Sequence, residues 1–241
     1  MSLTLSEARV CPDHLLARLT DEQLQALVPR LKLVHNCIKE VIYERNQRIS
    51  HVHFPCSCAL SNILFLEDGA AVEVGTVGNE GFSAVEVLVG ATFATDSCVC
   101  QIAGKSLRME VGDFRDAVHG ITPLRHVAEC YCQAYLSSVS QSVACNRRHT
   151  VEARFARWLL ITHDRVHGDE FYLTQEFLAD MLGVQRPTVS TVAAAFQNDG
   201  MIEYRRGHMR ILNRAALEQT ACEYYATVRG QFKRLLGERY G

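Results

Sequence analysis

Residues 173–212 read LTQEFLADMLGVQRPTVSTVAAAFQNDGMIEYRRGHMRIL, and this stretch decides the fold. Thr174 precedes apolar residues at helical spacing, and Gly183 stands where that helix would end. Pro187 suits the first turn of a second helix. The order helix, tight turn, helix and short hairpin is typical of a winged helix-turn-helix. An ordinary helical hairpin with a solvated arginine-rich turn is the alternative, but four features in this order favour the winged form.

The second predicted helix has one apolar face and one polar face, and the hairpin after it is basic. Polar side chains of this kind bind base edges and phosphates of DNA. We therefore predict that the chain binds double-stranded DNA. The predicted contacts are Gln185, Arg186, Thr188, Ser190 and Thr191 on the helix, and Arg205, Arg206 and Arg210 on the hairpin.

Composition agrees with a globular chain whose two halves differ in charge. Of its 241 residues 48% are apolar and 22% are charged. Residues 1–145 carry a net charge of −5 and residues 146–241 a net charge of +3, so the positive excess lies beside the predicted DNA-binding helix. The sequence shows neither a membrane-spanning apolar run nor a signal peptide, so we expect a cytoplasmic location and no membrane partner. In that reducing compartment most of the ten cysteines would be free thiols.

The remaining patterns divide the chain into three parts. Residues 31–109 contain short strand-like runs separated by turn residues, the pattern of a β jelly roll. Pro123 can open a long helix that no further proline or glycine interrupts. We predict an α+β protein with an effector or sensor β-roll domain at 1–122, a central dimerisation helix at 123–148 and a winged helix-turn-helix DNA-binding domain at 149–241.

Two stripes run along the predicted central helix. The first, which we call the heptad seam, comprises Leu124, Ala128, Tyr131, Tyr135 and Ser138. The second, which we call the outer stripe, comprises Cys132, Leu136, Val139 and Val143. We predict that the heptad seam pairs with a second subunit. A homodimer would place two reading helices, the second helix of each helix-turn-helix, on a twofold-symmetric operator. A helix buried on both sides within one chain is the alternative.

A strand-rich front, a central helix and a winged rear, in that order, resemble the Crp/Fnr family of bacterial transcription regulators. The resemblance is strongest over residues 145–225, which include CNRRHTVEARFARWLL and LTQEFLADMLGVQRPTVS. It implies a cyclic-nucleotide-binding-like fold for the front domain and a homodimer that is recruited to promoters. It also implies RNA polymerase as a further partner.

The candidate effector pocket departs from this resemblance. The family's cyclic-nucleotide binders use a Gly-Glu pair and then an Arg-Ser or Arg-Thr pair. Here Glu86 is kept, but Val85 replaces the glycine, and Thr95 stands near the second pair with no Arg or Lys between positions 80 and 105. Burying a phosphate without a cation is costly. We therefore expect a signal other than cyclic AMP, with Gly81, Glu86 and Thr95 as candidate pocket residues.

Other chemistries have weaker support. The cysteines show neither zinc-finger spacing nor an N-terminal iron–sulfur set, so we assign no metal site and leave the cofactor unknown. His51, His53 and Cys56 form the best candidate cluster. Catalytic motifs are missing, so we predict that the chain is not an enzyme. The leading interpretation is a dimeric, sequence-specific transcriptional regulator with an unidentified signal at its front domain. The alternative is a redox or metal/haem sensor that acts through protein–protein contact.

Overall fold

The computed structural model describes residues 3–11, 13–67, 69–166 and 168–237. Two short helices, α1 (Leu5–Val10) and α2 (Asp21–Leu27), lead into the strands. Each begins with a capping box, in which a threonine and the third helical residue satisfy each other's backbone amides. These caps explain why such short segments are helical.

Seven strands form the front domain as two antiparallel sheets. They are β1 (Lys32–Asn36), β2 (Val41–Tyr43), β3 (His51–Pro55), β4 (Ala59–Phe65), β5 (Ala71–Val77), β6 (Ser97–Ile102) and β7 (Gly104–Glu110). One sheet has the order β1-β7-β3 and the other the order β2-β6-β4-β5. The β-rich front domain and the α+β class are therefore confirmed.

The front domain is closed by two helices, α3 (Val111–Gly120) and α4 (Thr122–Arg148). Its centre is a group of aromatic rings, in which Phe82 lies 5.0 Å from Phe114 and 5.3 Å from Tyr131. Burying each such ring contributes about 1.5–3 kcal/mol. Although α4 has 27 residues, no helix in the described ranges is both long and apolar enough to cross a membrane.

The described residues of the rear half form five α-helices and three strands. They are α5 (Val151–Arg165), β8 (Glu170–Tyr172), α6 (Gln175–Leu182), α7 (Arg186–Asn198), β9 (Ile202–Arg205), β10 (His208–Ile211), α8 (Arg214–Thr220) and α9 (Tyr224–Leu236). Phe155 of α5 stacks on Phe196 of α7 with a centroid distance of 5.4 Å. Helices α5, α6 and α7 thus share a hydrophobic core.

The last helix, α9, packs mainly on the central helix, and only its Tyr225 belongs to the helix-turn-helix core. Phe232 lies 6.2 Å from the ring of Tyr131, and the Tyr224 hydroxyl donates to the Ser138 carbonyl at 2.9 Å. Helix α8 ends at Thr220, and the extended backbone of Ala221 separates it from α9. The predicted rear unit of residues 149–241 therefore contributes a helix to the front core.

This packing corrects the predicted dimer contact. The heptad seam is buried inside its own chain: Leu124, Ala128 and Tyr131 are fully buried, and Tyr135 and Ser138 nearly so. The β domain and α9 cover these residues, so the prediction that they face a second subunit was wrong. The outer stripe has the opposite character, because Leu136 is 58% and Val143 69% exposed.

Three polar contacts join the front sheets to α5, and we call them the junction. Arg165 of α5 lies 2.6 Å from the Glu80 carboxylate, with both side chains almost completely buried. The Trp158 indole donates to Glu73 at 2.9 Å, and the Gln101 amide donates to Thr162 at 3.0 Å. Burial raises the pKa of Glu73. The rear half of the chain is therefore joined to the front domain by buried polar contacts.

Candidate nucleic-acid interface

The turn between α6 and α7 follows from local sequence. The Thr174 hydroxyl accepts the Phe177 amide at 3.1 Å and caps α6. Gly183 ends the helix with a φ of 61°, a conformation that suits glycine. Pro187 lies in the first turn of α7, where its missing N–H removes no hydrogen bond. The predicted helix-turn-helix is therefore confirmed.

The two faces of α7 separate as the sequence predicts. Val189, Val192, Ala193 and Phe196 are buried against the rear core. Gln185, Arg186 and Thr191 are exposed, while Thr188 and Ser190 are half-buried. The Thr191 hydroxyl donates to the Pro187 carbonyl at 3.1 Å, and the Ser190 hydroxyl donates to Gln175 at 2.9 Å. Each hydroxyl hydrogen is thus engaged, and a hydroxyl oxygen keeps the capacity to accept a further hydrogen bond.

The wing is a hairpin of β9 and β10 with a two-residue turn. Arg206 and Gly207 both have positive φ, 52° and 85°, which is the backbone of a type I′ turn. Strand β8 adds a third strand to this sheet and was not predicted. The Tyr204 hydroxyl donates to the Leu173 carbonyl at 2.7 Å, which attaches the wing to the start of α6.

An open cleft of about 370 Å³ lies between the start of α7 and the tip of the wing. Arg186 and Arg206 line it from opposite sides, together with Thr174 and Gln175. Glu176 is its one acidic lining residue. Two guanidinium groups on an open polar cleft can bind DNA, either at its phosphates or at its base edges.

The other arginines of this region are not equivalent. Arg205 is exposed near the wing tip. Arg210 lies 3.5 Å from Glu170 and 3.8 Å from Glu203, so it must leave these carboxylates before it binds a phosphate. Arg214 points inward and pairs with Asp164 at 2.6 Å. It therefore adds nothing to the positive surface, although it belongs to the same basic segment of the sequence.

The predicted effector pocket is not formed as expected. The ring of Tyr131 occupies the space above Gly81, where even a methyl group would overlap it. Thr95 is exposed, whereas one carboxylate oxygen of Glu86 is buried without a hydrogen-bond partner among the described residues. Burial, and next the nearby Glu86, raise the pKa of Asp96 to about 7. Gly81 therefore cannot offer its backbone to a ligand in this state, and the surroundings of Glu86 are acidic.

The candidate cluster of His51, His53 and Cys56 is also not a metal site in this structure. Cys56 forms a disulfide with Cys11. His53 is buried beside the Ser106 hydroxyl at 3.1 Å, and burial lowers its pKa to about 3. His51 contacts the Ser50 hydroxyl at 2.8 Å. Each of these side chains already has a partner.

Sequence reasoning missed the buried arginines of α5. Arg154, Arg157 and Arg165 are all less than 9% exposed. The Arg165 partner Glu80 lies 85 residues away along the chain, and Arg157 lies over the ring of the distant Tyr224, so no periodicity reveals either contact.

Comparison with known proteins gives the same assignment for the rear of the chain. Residues 153–220 match the family model of the Crp-like helix-turn-helix domain. No curated protein sequence matches the chain.

Solved structures share the fold over most of the chain. FixK2 from Bradyrhizobium japonicum is 15% identical with a TM-score of 0.68, and the match covers 80% of this chain and 98% of that one. A CRP-family transcriptional regulator from Thermus thermophilus is 21% identical with a TM-score of 0.63, covering 79% and 96%. The c-di-GMP-responsive regulator CLP from Xanthomonas campestris is 12% identical with a TM-score of 0.61, covering 80% and 99%.

At these identities the solved structures show a common fold, and the domain match adds the DNA-binding unit. The Thermus thermophilus and Xanthomonas campestris proteins are regulators by name. The chain therefore has the fold of these proteins, and its residues 153–220 form a Crp-like helix-turn-helix domain.

Proposed function

We propose that two copies of this chain bind a twofold-symmetric DNA site and regulate transcription there in response to a signal at the front domain. The observation that carries this proposal is the cleft shared by Arg186 and Arg206. It places the polar face of α7 and the wing tip on one open surface. Arg186, Thr188 and Thr191 would then meet base edges, and Arg205 and Arg206 the backbone.

The outer stripe of α4 supports the dimer. Leu136 and Val143 are large apolar side chains that remain exposed on a helix whose other face is buried. The same stripe of a second copy has the matching spacing, and pairing the two would cover both. We expect Leu136→Glu to dissociate the dimer in analytical ultracentrifugation. Val41→Glu, at an equally exposed position on β2, is the control and should leave the mass unchanged.

Cyclic AMP does not suit the front domain. Tyr131 fills the space at Gly81, and Glu86 and Asp96 present acidic groups where a phosphate would need a cation. Calorimetry should show no tight binding of cyclic AMP, and micromolar affinity would contradict this part of the proposal. Since the protein acts on promoter DNA, we place it in the cytoplasm and expect it to meet RNA polymerase.

DNA selection tests the main proposal. Purified protein is incubated with fragmented genomic DNA, bound fragments are sequenced, and fluorescence anisotropy then measures affinity for a selected and a scrambled duplex. Arg206→Ala should weaken binding to both duplexes. It should also reduce the slope of log affinity against log salt concentration by about 1. Arg45→Ala removes an exposed arginine from the front domain and serves as the charge-matched control.

Two outcomes would contradict the proposal. Equal affinity for selected and scrambled duplexes would remove sequence specificity. A loss with Arg45→Ala as large as that with Arg206→Ala would show that total charge, rather than the cleft, governs binding. Binding of a protein partner without any salt-sensitive DNA shift would instead favour a sensor that acts by protein contact.

A further inference from the structure

Three side chains that commonly bind metals meet where the central helix ends and the last helix begins. Cys145 lies in the last turn of α4, His149 follows that helix, and Cys222 precedes α9. Their two sulfur atoms and one ring nitrogen all lie within 4.8 Å of one another. Within the described ranges this is the one group of at least three such ligands. Their spacing along the sequence does not predict a metal site.

The geometry of the cluster has two sources. Cys145 and His149 are four residues apart on one helical turn, which brings their side chains to the same face. The His149 amide donates to the Cys145 carbonyl at 3.0 Å and maintains this turn. Cys222 arrives from 77 residues further along the chain, with its sulfur 2.9 Å from that of Cys145.

The histidine ring is oriented by a carboxylate. Its Nδ1 lies 3.8 Å from the Cys145 sulfur, while its Nε2 lies 3.3 Å from Glu223. An acidic group on the far ring nitrogen is the usual outer partner of a metal-binding histidine, because it fixes the ring and increases the basicity of the ligating nitrogen. Glu223 follows Cys222 directly, so one segment supplies both a ligand and an orienting group.

We propose that Cys145, His149 and Cys222 bind one zinc ion, with Glu223 as the orienting group and the fourth position open. Two thiolates and an imidazole select a borderline-soft divalent ion over magnesium or calcium. Ligands of a tetrahedral zinc ion lie about 3.8 Å apart. The distance from Cys145 Sγ to His149 Nδ1 already has this value. The two sulfur atoms, now 2.9 Å apart, would have to move about 1 Å further from each other.

The surrounding charges allow this ion. Arg157 lies over the Tyr224 ring at 4.5 Å, and two of its nitrogens have no hydrogen-bond partner in the described part of the chain. Arg154 is a second positive charge that acts on Cys145. Two thiolates cancel the charge of the ion, so these guanidinium groups face a neutral cluster whose sulfur atoms can accept their N–H groups.

A zinc ion here would join the central helix, the segment before α5 and the last helix. It would thereby fix the DNA-binding half relative to α4. Only this effect on DNA depends on the proposed regulatory function; the metal site itself does not. Loss of zinc should loosen the placement of the reading helix without removing any DNA-contacting residue.

Metal content of the full chain tests the site. Protein is purified under argon with a phosphine reductant, supplied with zinc, desalted and measured by mass spectrometry; a competing chromogenic chelator then gives the affinity. We expect one zinc per chain. Cys145→Ser and Cys222→Ser should each weaken binding by at least about 100-fold, and Glu223→Gln by about 10-fold.

The chain offers a matched control for these variants. His126 and Cys130 form the same four-residue pair on α4 at the same 3.8 Å distance, but without a second thiol. Cys130→Ser should leave zinc content and affinity unchanged. Equal losses with Cys130→Ser and Cys145→Ser would contradict the assignment.

A measurement on the unaltered protein avoids the risk that a variant misfolds. Cobalt(II) substitution should give thiolate-to-cobalt charge-transfer bands and tetrahedral d–d bands at one equivalent. Absence of these bands, no bound zinc, or a Cys145–Cys222 disulfide in the reduced anaerobic preparation would each overturn the proposal. These readouts are made without DNA, so their failure is separate from failure of the proposed regulatory function.

Discussion

Arginines in two regions of this molecule have opposite environments. At the junction, Arg165 is 5% exposed and lies against Glu80, which is completely buried. On the interface, Arg186 and Arg206 are exposed and line an open cleft. Burial makes the first arginine a part of the folded state, because a charge inside a protein needs its partner. Exposure leaves the other two available for DNA, Arg206 for a phosphate and Arg186 for a base edge. The comparison predicts that stability and DNA binding depend on different arginines.

The largest expected effect comes from breaking the buried pair. Arg165→Met leaves the Glu80 carboxylate buried without its partner, and should lower the free energy of unfolding by about 3–5 kcal/mol. Urea unfolding followed by circular dichroism measures this loss. Arg186→Met removes the same charge from the exposed region and should change stability by no more than about 0.5 kcal/mol. Similar losses in the two variants would remove the distinction between the regions.

The second effect concerns sequence preference. Arg186→Ala should lower the affinity for the selected operator by about 1–3 kcal/mol and leave the affinity for scrambled DNA nearly unchanged. Titrations of both duplexes at one salt concentration give the comparison. A uniform loss on both duplexes would assign Arg186 to the backbone, together with Arg206.

A third prediction extends the comparison to a buried acid. Because the pKa of Asp96 is raised to about 7, the folded chain holds a proton that the unfolded chain releases near pH 4. Stability from this group is therefore present at low pH and is lost as the pH rises through 7. Asp96→Asn should be more stable than the original chain at pH 8 by about 1–2 kcal/mol, with little difference near pH 4.

Urea unfolding at the two pH values measures this difference. Asp116→Asn changes an exposed acid of the same domain and is the control. It should show no such pH-dependent gain. If the difference in free energy of unfolding between Asp96→Asn and the original chain does not change with pH, Asp96 does not titrate in this range.

The smallest effect separates backbone strain from charge in the wing. Arg206 has a φ of 52°, which costs a non-glycine residue about 1–2 kcal/mol. Arg206→Gly should raise the free energy of unfolding by no more than about 1 kcal/mol while it weakens DNA binding. Arg205→Gly, at a strand position without positive φ, should lower stability instead. Thermal unfolding and anisotropy on the same samples test both parts.

Local patterns explain which parts of the fold could be predicted. The cap at Thr174, the turn at Gly183 and the apolar face of α7 depend on residues within one or two helical turns, and all three are confirmed. The heptad seam was also a real stripe. Periodicity shows that such a stripe is buried, but it does not show that α9 of the same chain covers it.

Long-range pairs could not be found in this way. Glu80 and Arg165 are 85 residues apart, as are Glu73 and Trp158, and no spacing rule relates them. The four-residue spacing of Cys145 and His149 was visible in the sequence. Its meaning depended on Cys222, which only the fold brings near. The same holds for Tyr131 and Gly81, whose contact fills the predicted effector pocket.

The position of α9 has a consequence for protein synthesis and for dissection of the chain. Tyr224, Val228, Phe232 and Leu236 complete a core whose other members come mainly from the first 145 residues. The front half of the chain therefore cannot finish its packing on the ribosome until Leu236 has emerged from the exit tunnel. A fragment that stops after residue 148 would leave Tyr131 and Ser138 open to water, and adding residues 222–237 back as a separate peptide should restore its compactness.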